Sequence, residues 1–258
     1  MHSSACCSAG SRIRRRTLGG SCLLDVLQLK SGSISIRALA ESGVMFSIVA
    51  EDGTILALSP AALRNRERVG QPGVEAVVGR KLDEVYPAEL VAERMAIMRR
   101  CLSAGKCLTF RSVMWGEQYV TYVHPLCDQE GIQGSAVIAI HQRVEGDVVP
   151  ELYQGSEFFE AEHNEYGTLA SLSPREVEVL SMLGQGHDTQ EIAKALFRSP
   201  ETIISHKKSL YAKLRCDSHI SAALMARRAG LTKRDAERFT RGSAHGPSRR
   251  RDSGARMD

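Results

Sequence analysis

The chain has 258 residues, 43% of them hydrophobic, with 34 Lys and Arg against 30 Asp and Glu. That length supports one large domain or two small ones, each able to bury a core. No apolar run approaches the roughly 18 residues of a membrane span, and a net charge of +4 is too small by itself to demand a polyanionic partner. The seven cysteines, Cys6, Cys7, Cys22, Cys101, Cys107, Cys127 and Cys216, are odd in number, scattered and without a C-x-x-C pair. They argue against a disulfide framework and a zinc site, and for a reducing, cytoplasmic setting.

Residues 1–32 are rich in Ser, Cys, Gly and Arg and show no periodicity. Arg12 to Arg16 and the following Leu18-Gly-Gly-Ser-Cys-Leu-Leu outline a signal peptide, but the apolar stretch is short and broken by Gly19, Gly20 and Asp25. This segment is expected to be disordered or to mark a misassigned start. Residues 33–143 mix strand and helix patterns. Two apolar runs, 44–50 and 54–58, flank Glu51-Asp-Gly and predict a hairpin. Short helices are expected between Pro60 and Tyr86. Pro87 stands where a helix can start, and over 89–103 Leu90, Met95, Met98 and Leu102, with Val91 and Ile97, recur at near-helical spacing; Gly105 is placed to end it. Three strands are expected over 108–115, 118–125 and 134–142, with turn signals at Gly116-Glu117 and 128–131.

Hairpin, short helices, longer helix and a three-stranded meander, in that order, resemble a PAS sensor domain over about 39–142, and Gly79-Arg-Lys-Leu-Asp-Glu-Val-Tyr-Pro resembles the G-x-x-x-x-E-hydrophobic segment of that family; a GAF-like sensor is the competing reading. The resemblance implies an antiparallel sheet with short helices that senses a small molecule or a protein partner, or dimerises. The cysteine motif of flavin photosensors is absent, and no His lies in 89–103 where haem-binding PAS domains supply their ligand. No metal, flavin or haem is therefore expected, and the small-molecule ligand stays open.

Residues 144–169 form an acidic linker carrying Glu151, Glu157, Glu160, Glu162 and Glu165, with apolar islands at Tyr153, Phe158 and Phe159. The next segment, 170–234, is basic: from Leu172 to Arg234 eleven Lys and Arg face six Asp and Glu. Such a field suits a nucleic-acid surface. The five glutamates before it suggest an idle state in which the linker touches the basic segment. Ser173-Pro-Arg-Glu combines an N-cap, a proline at the first helical position and Glu176 three after the cap. Val177, Leu180 and Leu183 supply that helix's apolar stripe, and Gly184 and Gly186 suit its end. Asp188 or Thr189, with Glu191 three after Asp188, opens a second helix, Ser199-Pro-Glu-Thr a third that runs to about Leu214, and a residue near Ser218 a fourth that ends at Gly230. A short helix, a tight turn and a longer basic helix make a helix-turn-helix, the arrangement that lays the second helix in the DNA major groove.

On the third helix Ile203, Leu210 and Leu214 share one side, with His206 at its edge as a packing residue. Glu201, Ser205, Lys208 and Ala212 lie opposite. Ile204, Ser205 and Lys208 are the expected base-reading residues, and Ser199, Thr202, Lys207 and Lys213 the expected phosphate contacts. Leu172-Ser-Pro-Arg-Glu, Gly186, Glu191-Ile-Ala-Lys-Ala-Leu, Ser199-Pro-Glu-Thr-Ile, His206 and Lys213-Leu together resemble the LuxR-type helix-turn-helix of LuxR, NarL and FixJ regulators. The resemblance implies an all-α four-helix domain, double-stranded DNA as partner, a homodimer paired through the fourth helix, and RNA polymerase as a further partner. Two positions depart from it: Ile204 stands where members often carry a basic or polar residue, and Arg215 replaces a glycine after the Lys-Leu pair. Residues 235–258, rich in Arg, Ser and Gly, are expected to be a disordered basic tail. His124 and His141 lack metal-ligand spacing, no Gly-rich phosphate loop follows a strand, and Glu51-Asp52 sits in a turn rather than at the strand ends a phosphoacceptor needs. The chain is thus expected to be a multidomain transcriptional regulator without catalytic residues. A module whose helix-turn-helix makes only protein contacts is the alternative.

Overall fold

A computed structural model describes residues 26–29, 32–71, 73, 76–126, 135–146, 157–232 and 235–236. Strands β1 (Val26–Leu29) and β2 (Gly32–Ser35) form an antiparallel hairpin. Residues 26–29 and 32 of the segment expected to be structureless therefore lie in strands; its remainder, residues 1–25, 30 and 31, lies outside the described residues. Helix α1 (Ile36–Glu41) follows, its first turn capped by the Ser35 side chain.

The expected hairpin is present as β3 (Met45–Ala50) and β4 (Ile55–Leu58), and its turn is held by Asp52, which accepts from the Thr54 amide and hydroxyl, both at 3.0 Å. Helix α2 (Pro60–Arg68) is capped by Ser59, a 3-10 turn spans Leu82–Glu84, and α3 (Ala88–Ala104) ends on Gly105 at φ 60°, a left-handed cap that glycine adopts without steric cost. Strands β5 (Leu108–Met114), β6 (Glu117–Leu126) and β7 (Ala136–Arg143) complete a meander. The β5–β6 turn is centred one residue earlier than the Gly116-Glu117 signal suggests. Both Trp115 (φ 54°) and Gly116 (φ 77°) take positive φ, as the tight two-residue hairpin turn requires.

The sheet has the order β4-β3-β7-β6-β5-β8, where β8 (Glu157–Glu160) comes from the expected linker and pairs parallel with β5. Phe159 of β8 stacks on Phe110 with ring centroids 5.7 Å apart. This segment is an edge strand, not a free connector; Glu151 and Tyr153 lie outside the described residues.

Alternation along the strands gives the sheet two buried faces. On the inner face Ser47, Phe110, Ser112, Tyr119, Thr121 and His141 line a cavity closed by α2 and α3. On the outer face Phe46, Ile48 and Ile138 pack under α1, while Val113 joins the core of the C-terminal helices. That two-sided burial explains why every residue of β5 from Leu108 to Val113 is buried, the polar Thr109, Arg111 and Ser112 included. Among the described residues no helix is long and apolar enough to cross a membrane.

Candidate nucleic-acid interface

After a 3-10 turn (Gly167–Ser171), four helices form: α4 (Pro174–Gly184), α5 (Thr189–Ala195), α6 (Pro200–Leu214) and α7 (His219–Ala229). Each begins on a side chain the sequence offers for it. Ser173 and Glu176, and Asp188 and Glu191, make complete capping boxes; Ser199 caps α6 by accepting from the Thr202 amide at 3.3 Å, and Ser218 caps α7. Val177, Leu180, Leu183, Ile192, Ile203 and Leu210 are fully buried together. Gly184 lets α4 and α7 approach closely, since an added Cβ would stand 2.7 Å from the Ala226 Cβ.

Packing of Ile203, Leu210 and Leu214 inward turns Glu201, Ile204, Ser205, Lys208 and Ala212 outward, and all five are exposed. The expected base-reading residues Ile204, Ser205 and Lys208 thus share one open strip of α6, with Ile204 57% exposed. Ser199 and Thr202 stand together at the N-terminus of α6, their hydroxyls 3.2 Å apart, where helix amides and dipole favour an anion. Lys207 donates to Thr189 Oγ1 at 3.1 Å and so ties α6 to the first turn of α5.

Lys213, an expected phosphate contact, has a partner within the domain. Its ammonium donates to Glu176 Oε2 at 2.6 Å, beside Ser209, which donates to Glu176 Oε1 at 2.6 Å. Burial alone would raise the Glu176 carboxyl, but the hydrogen bonds from Lys213, Ser209 and Ser173 outweigh it and bring it down to about 2. Lys213 is a strut between α6 and the start of α4, and its charge is already engaged before any phosphate arrives. Arg215 takes the left-handed cap at φ 52° that a glycine would take without strain; Phe197, in the turn before α6, has φ 52° and is 88% exposed.

Three of the glutamates preceding the helices, Glu157, Glu160 and Glu165, stand near arginines of the sheet and its helices. Glu157 pairs with Arg100, Glu160 lies 3.9 Å from Arg111, and Glu165 feels the charge of Arg66. For these three, arginines of the sheet and its helices stand where the expected idle-state contact would place the reader's bases; Glu151 lies outside the described residues. Sequence reasoning also missed the domain junction. Arg111 of β5, 4% exposed, donates to the Gly230 carbonyl at the end of α7 at 2.7 Å, hydrogen-bonds Gln118, and lies 3.8 Å from the Asp235 carboxylate. Asp235 accepts from the Thr232 amide and hydroxyl at 2.7 and 2.8 Å and from Tyr166 at 3.2 Å. Fully buried, it belongs to this junction and not to a disordered tail beginning at 235. The rest of the tail, 237–258, lies outside the described residues.

The profile of bacterial regulatory proteins of the luxR family matches residues 170–226, and that of the PAS fold matches 39–143. YhjB of Escherichia coli (strain K12), which carries the name of an HTH-type transcriptional regulator, is 42% identical over 57 residues, 22% of this chain and 28% of that protein. Among solved structures, VqmA of Vibrio cholera in a complex with ligand and DNA is 18% identical, covers 77% of this chain and 91% of its own, and superposes with a TM-score of 0.39. A domain of the HTR-like protein of Haloarcula marismortui is 17% identical, with a TM-score of 0.33 over 39% of this chain and 97% of its own. The four capped helices and the matched profiles identify residues 170–226 as a helix-turn-helix of the luxR type and residues 39–143 as a PAS fold.

Proposed function

We propose that the chain is a sequence-specific, double-stranded-DNA-binding transcriptional regulator that lays α6 in the major groove under control of its PAS domain. One observation carries the reading: in a helix-turn-helix of this family, the strip of α6 bearing Ile204, Ser205 and Lys208 is open to solvent. Ser205 and Lys208 can donate to base edges, and Ile204 can meet a thymine methyl. Ser199, Thr202 and Lys207 sit at the start and flank of the helix, where they position it on the phosphates. Lys213 contributes at most field, because Glu176 holds it.

The protein acts as a homodimer in this reading. Ile220 and Leu224, 70% and 43% exposed, stand one turn apart on α7 and offer the apolar stripe that two copies would share. Half-sites then lie about one helical turn of DNA apart. RNA polymerase is the further partner, and the cytoplasm the place of action. No catalytic role is assigned to any residue.

Selection of the full chain against a random duplex library at two salt concentrations tests the reading. An enriched two-fold motif that survives the higher salt is expected, because base contacts outlast the counterion-release term that salt erodes. Binding without a motif, or none, would instead assign the helix-turn-helix to protein contacts.

A further inference from the structure

The inner face of the PAS sheet encloses a cavity of about 160 Å³ between the strands and helices α2 and α3. A cavity of roughly 150 Å³ accepts one benzene ring, so this one has room for a single six-membered ring and a small substituent. Met98 and Met114, with Phe110, Trp115 and Tyr119, supply thioether and ring surface that packs well against an aromatic ligand. Both arginines of the wall are engaged by the protein itself. Arg94 pairs with Glu93 at 3.1 Å and lies over the Phe110 ring at 4.6 Å. Arg66 donates to the Tyr86 hydroxyl at 2.6 Å and lies over the rings of Tyr86 and Trp115. Their positive charge disfavours a cation in the cavity, and an anion would have to compete with the partners they already have.

Hydrogen-bonding capacity is left in the hydroxyls of the wall. Ser112 lines the cavity at 3% exposure, and its hydroxyl forms no hydrogen bond among the described residues. Thr121, 2% exposed, is its neighbour on the same face. Ser112 stands opposite Tyr119 and Thr121 opposite Phe110 in the β5–β6 register. That diagonal sets their Cα atoms about 7–8 Å apart, close enough for one ligand oxygen to reach both hydroxyls. Thr121 Oγ1 lies 3.1 Å from His141 Nδ1, and Ser47 Oγ lies 3.2 Å from His141 Nε2. Burial, aided by Arg94, holds His141 down at about 4, so at neutral pH its ring has one N–H and one accepting nitrogen. In one tautomer Thr121 accepts the ring proton and keeps its own hydroxyl proton to give. In the other it gives that proton to the ring and keeps lone pairs to accept. Ser112 can take the complementary part in either case. A ligand hydroxyl, which both gives and accepts, is therefore met whichever tautomer holds.

We propose that this cavity binds a small neutral phenol, its ring against Phe110 and the methionines and its hydroxyl between Ser112 and Thr121. The proposal rests on the sensor role of residues 39–143 and names the chemistry sensed. The ligand returns to Ser112 the hydrogen bond that burial took from water. Both hydroxyls stand on paired strands of one sheet, so little freedom is lost when the ligand arrives.

Calorimetry of the full chain, with the fluorescence of Trp115 as a second readout, tests the proposal; Trp115 is the only Trp of the sequence and part of the cavity wall. The probes are phenol, toluene, which keeps the ring and lacks the hydroxyl, and benzoate. Phenol is expected to bind saturably at one site per chain, raise the midpoint of unfolding, and bind at least about tenfold more tightly than toluene. Benzoate should bind more weakly than phenol, since its charge would be buried without a partner of its own. Ser112→Ala should weaken phenol about five- to tenfold and leave toluene little changed, since only a hydroxyl is lost. Ala139→Phe, which places a ring inside the cavity from β7, should abolish binding of both. Toluene or benzoate binding as tightly as phenol, no binding of phenol, or phenol binding that Ser112→Ala or Ala139→Phe leaves unchanged would overturn it. If Ala139→Phe does not fold, the phenol-to-toluene ratio and the Ser112→Ala result still decide. Duplex binding is measured on the same preparations: intact DNA selection without phenol binding sinks the ligand class alone, whereas loss of DNA selection sinks the regulator reading.

Discussion

Lys208 and Lys213 are similar residues on one helix, yet the structure gives them different work. Lys208 is exposed beside Ser205. Lys208→Ala is expected to cost about 1–3 kcal/mol in DNA affinity and relax preference at one base position, read from selection against variant sites; a uniform loss across sequences would assign Lys208 to phosphate instead. Lys213→Ala leaves Glu176 buried with only Ser209 and Ser173 as partners. It should cost about 2 kcal/mol of folding stability in urea titrations while leaving the salt slope of DNA binding unchanged. Glu176 also sets an acid limit. Its carboxyl is lowered in the folded state from 4.5 to about 2, so its contribution is complete above pH 4.5 and is lost as pH falls toward 2. Glu176→Gln should therefore lose stability at neutral pH and flatten the unfolding curve across that acid window. The capping role of Glu176 was legible because Ser173 lies three residues away. Its pairing with Lys213 was not, because 37 residues separate the two and only packing of α6 on α4 brings them together.

Elements whose ends are fixed by local chemistry were readable from sequence. Ser173, Asp188, Ser199 and Ser218 each cap the helix they were expected to open, since capping needs nothing beyond the first turn. The β3–β4 pair, two apolar runs around an Asp-Gly turn, and the near-helical stripe of α3 were readable because their signals are equally local. Arg215 shows what local reading leaves open: the loss of glycine did not alter the left-handed cap, which persists at φ 52°. Arg215→Gly should then stabilise the reader by about 0.5–1 kcal/mol, the strain relieved less the added freedom of the unfolded chain, measured as a raised unfolding midpoint. Strand β8 was not legible. Glu-Phe-Phe-Glu carries no period-2 signal, and it becomes a strand only because the edge of β5, some 49 residues earlier by register of Leu108 with Glu157, is free to pair.

At the scale of the molecule, sensor and reader share a junction that no segment announces in sequence, because its parts lie in β5, β6, the end of α7 and Asp235. The Gly230 backbone presses so closely on β6 that an added Cβ would stand 2.0 Å from Gln118 Oε1. Arg111→Ala should loosen this junction. Amides around 111–118 and 227–232 are then expected to exchange with deuterium faster in the full chain, while those in the middle of α4 keep their protection; unchanged exchange at both patches would show that the domains do not depend on Arg111 for docking. The junction also bears on how such regulators can be rebuilt. Along β5, Phe110 and Ser112 face the cavity while Arg111 and Val113 face the helices, so one ribbon of chain writes two messages in alternate letters. A graft that replaces the sensor at the connector, keeping only residues 170–258, discards half of the lock that seats the reader. Deleting one residue from that ribbon transposes both messages at once. Ligand preference and domain seating are thus inherited together, and a working chimaera has to carry Arg111, Val113 and Gln118 along with the helices they grip.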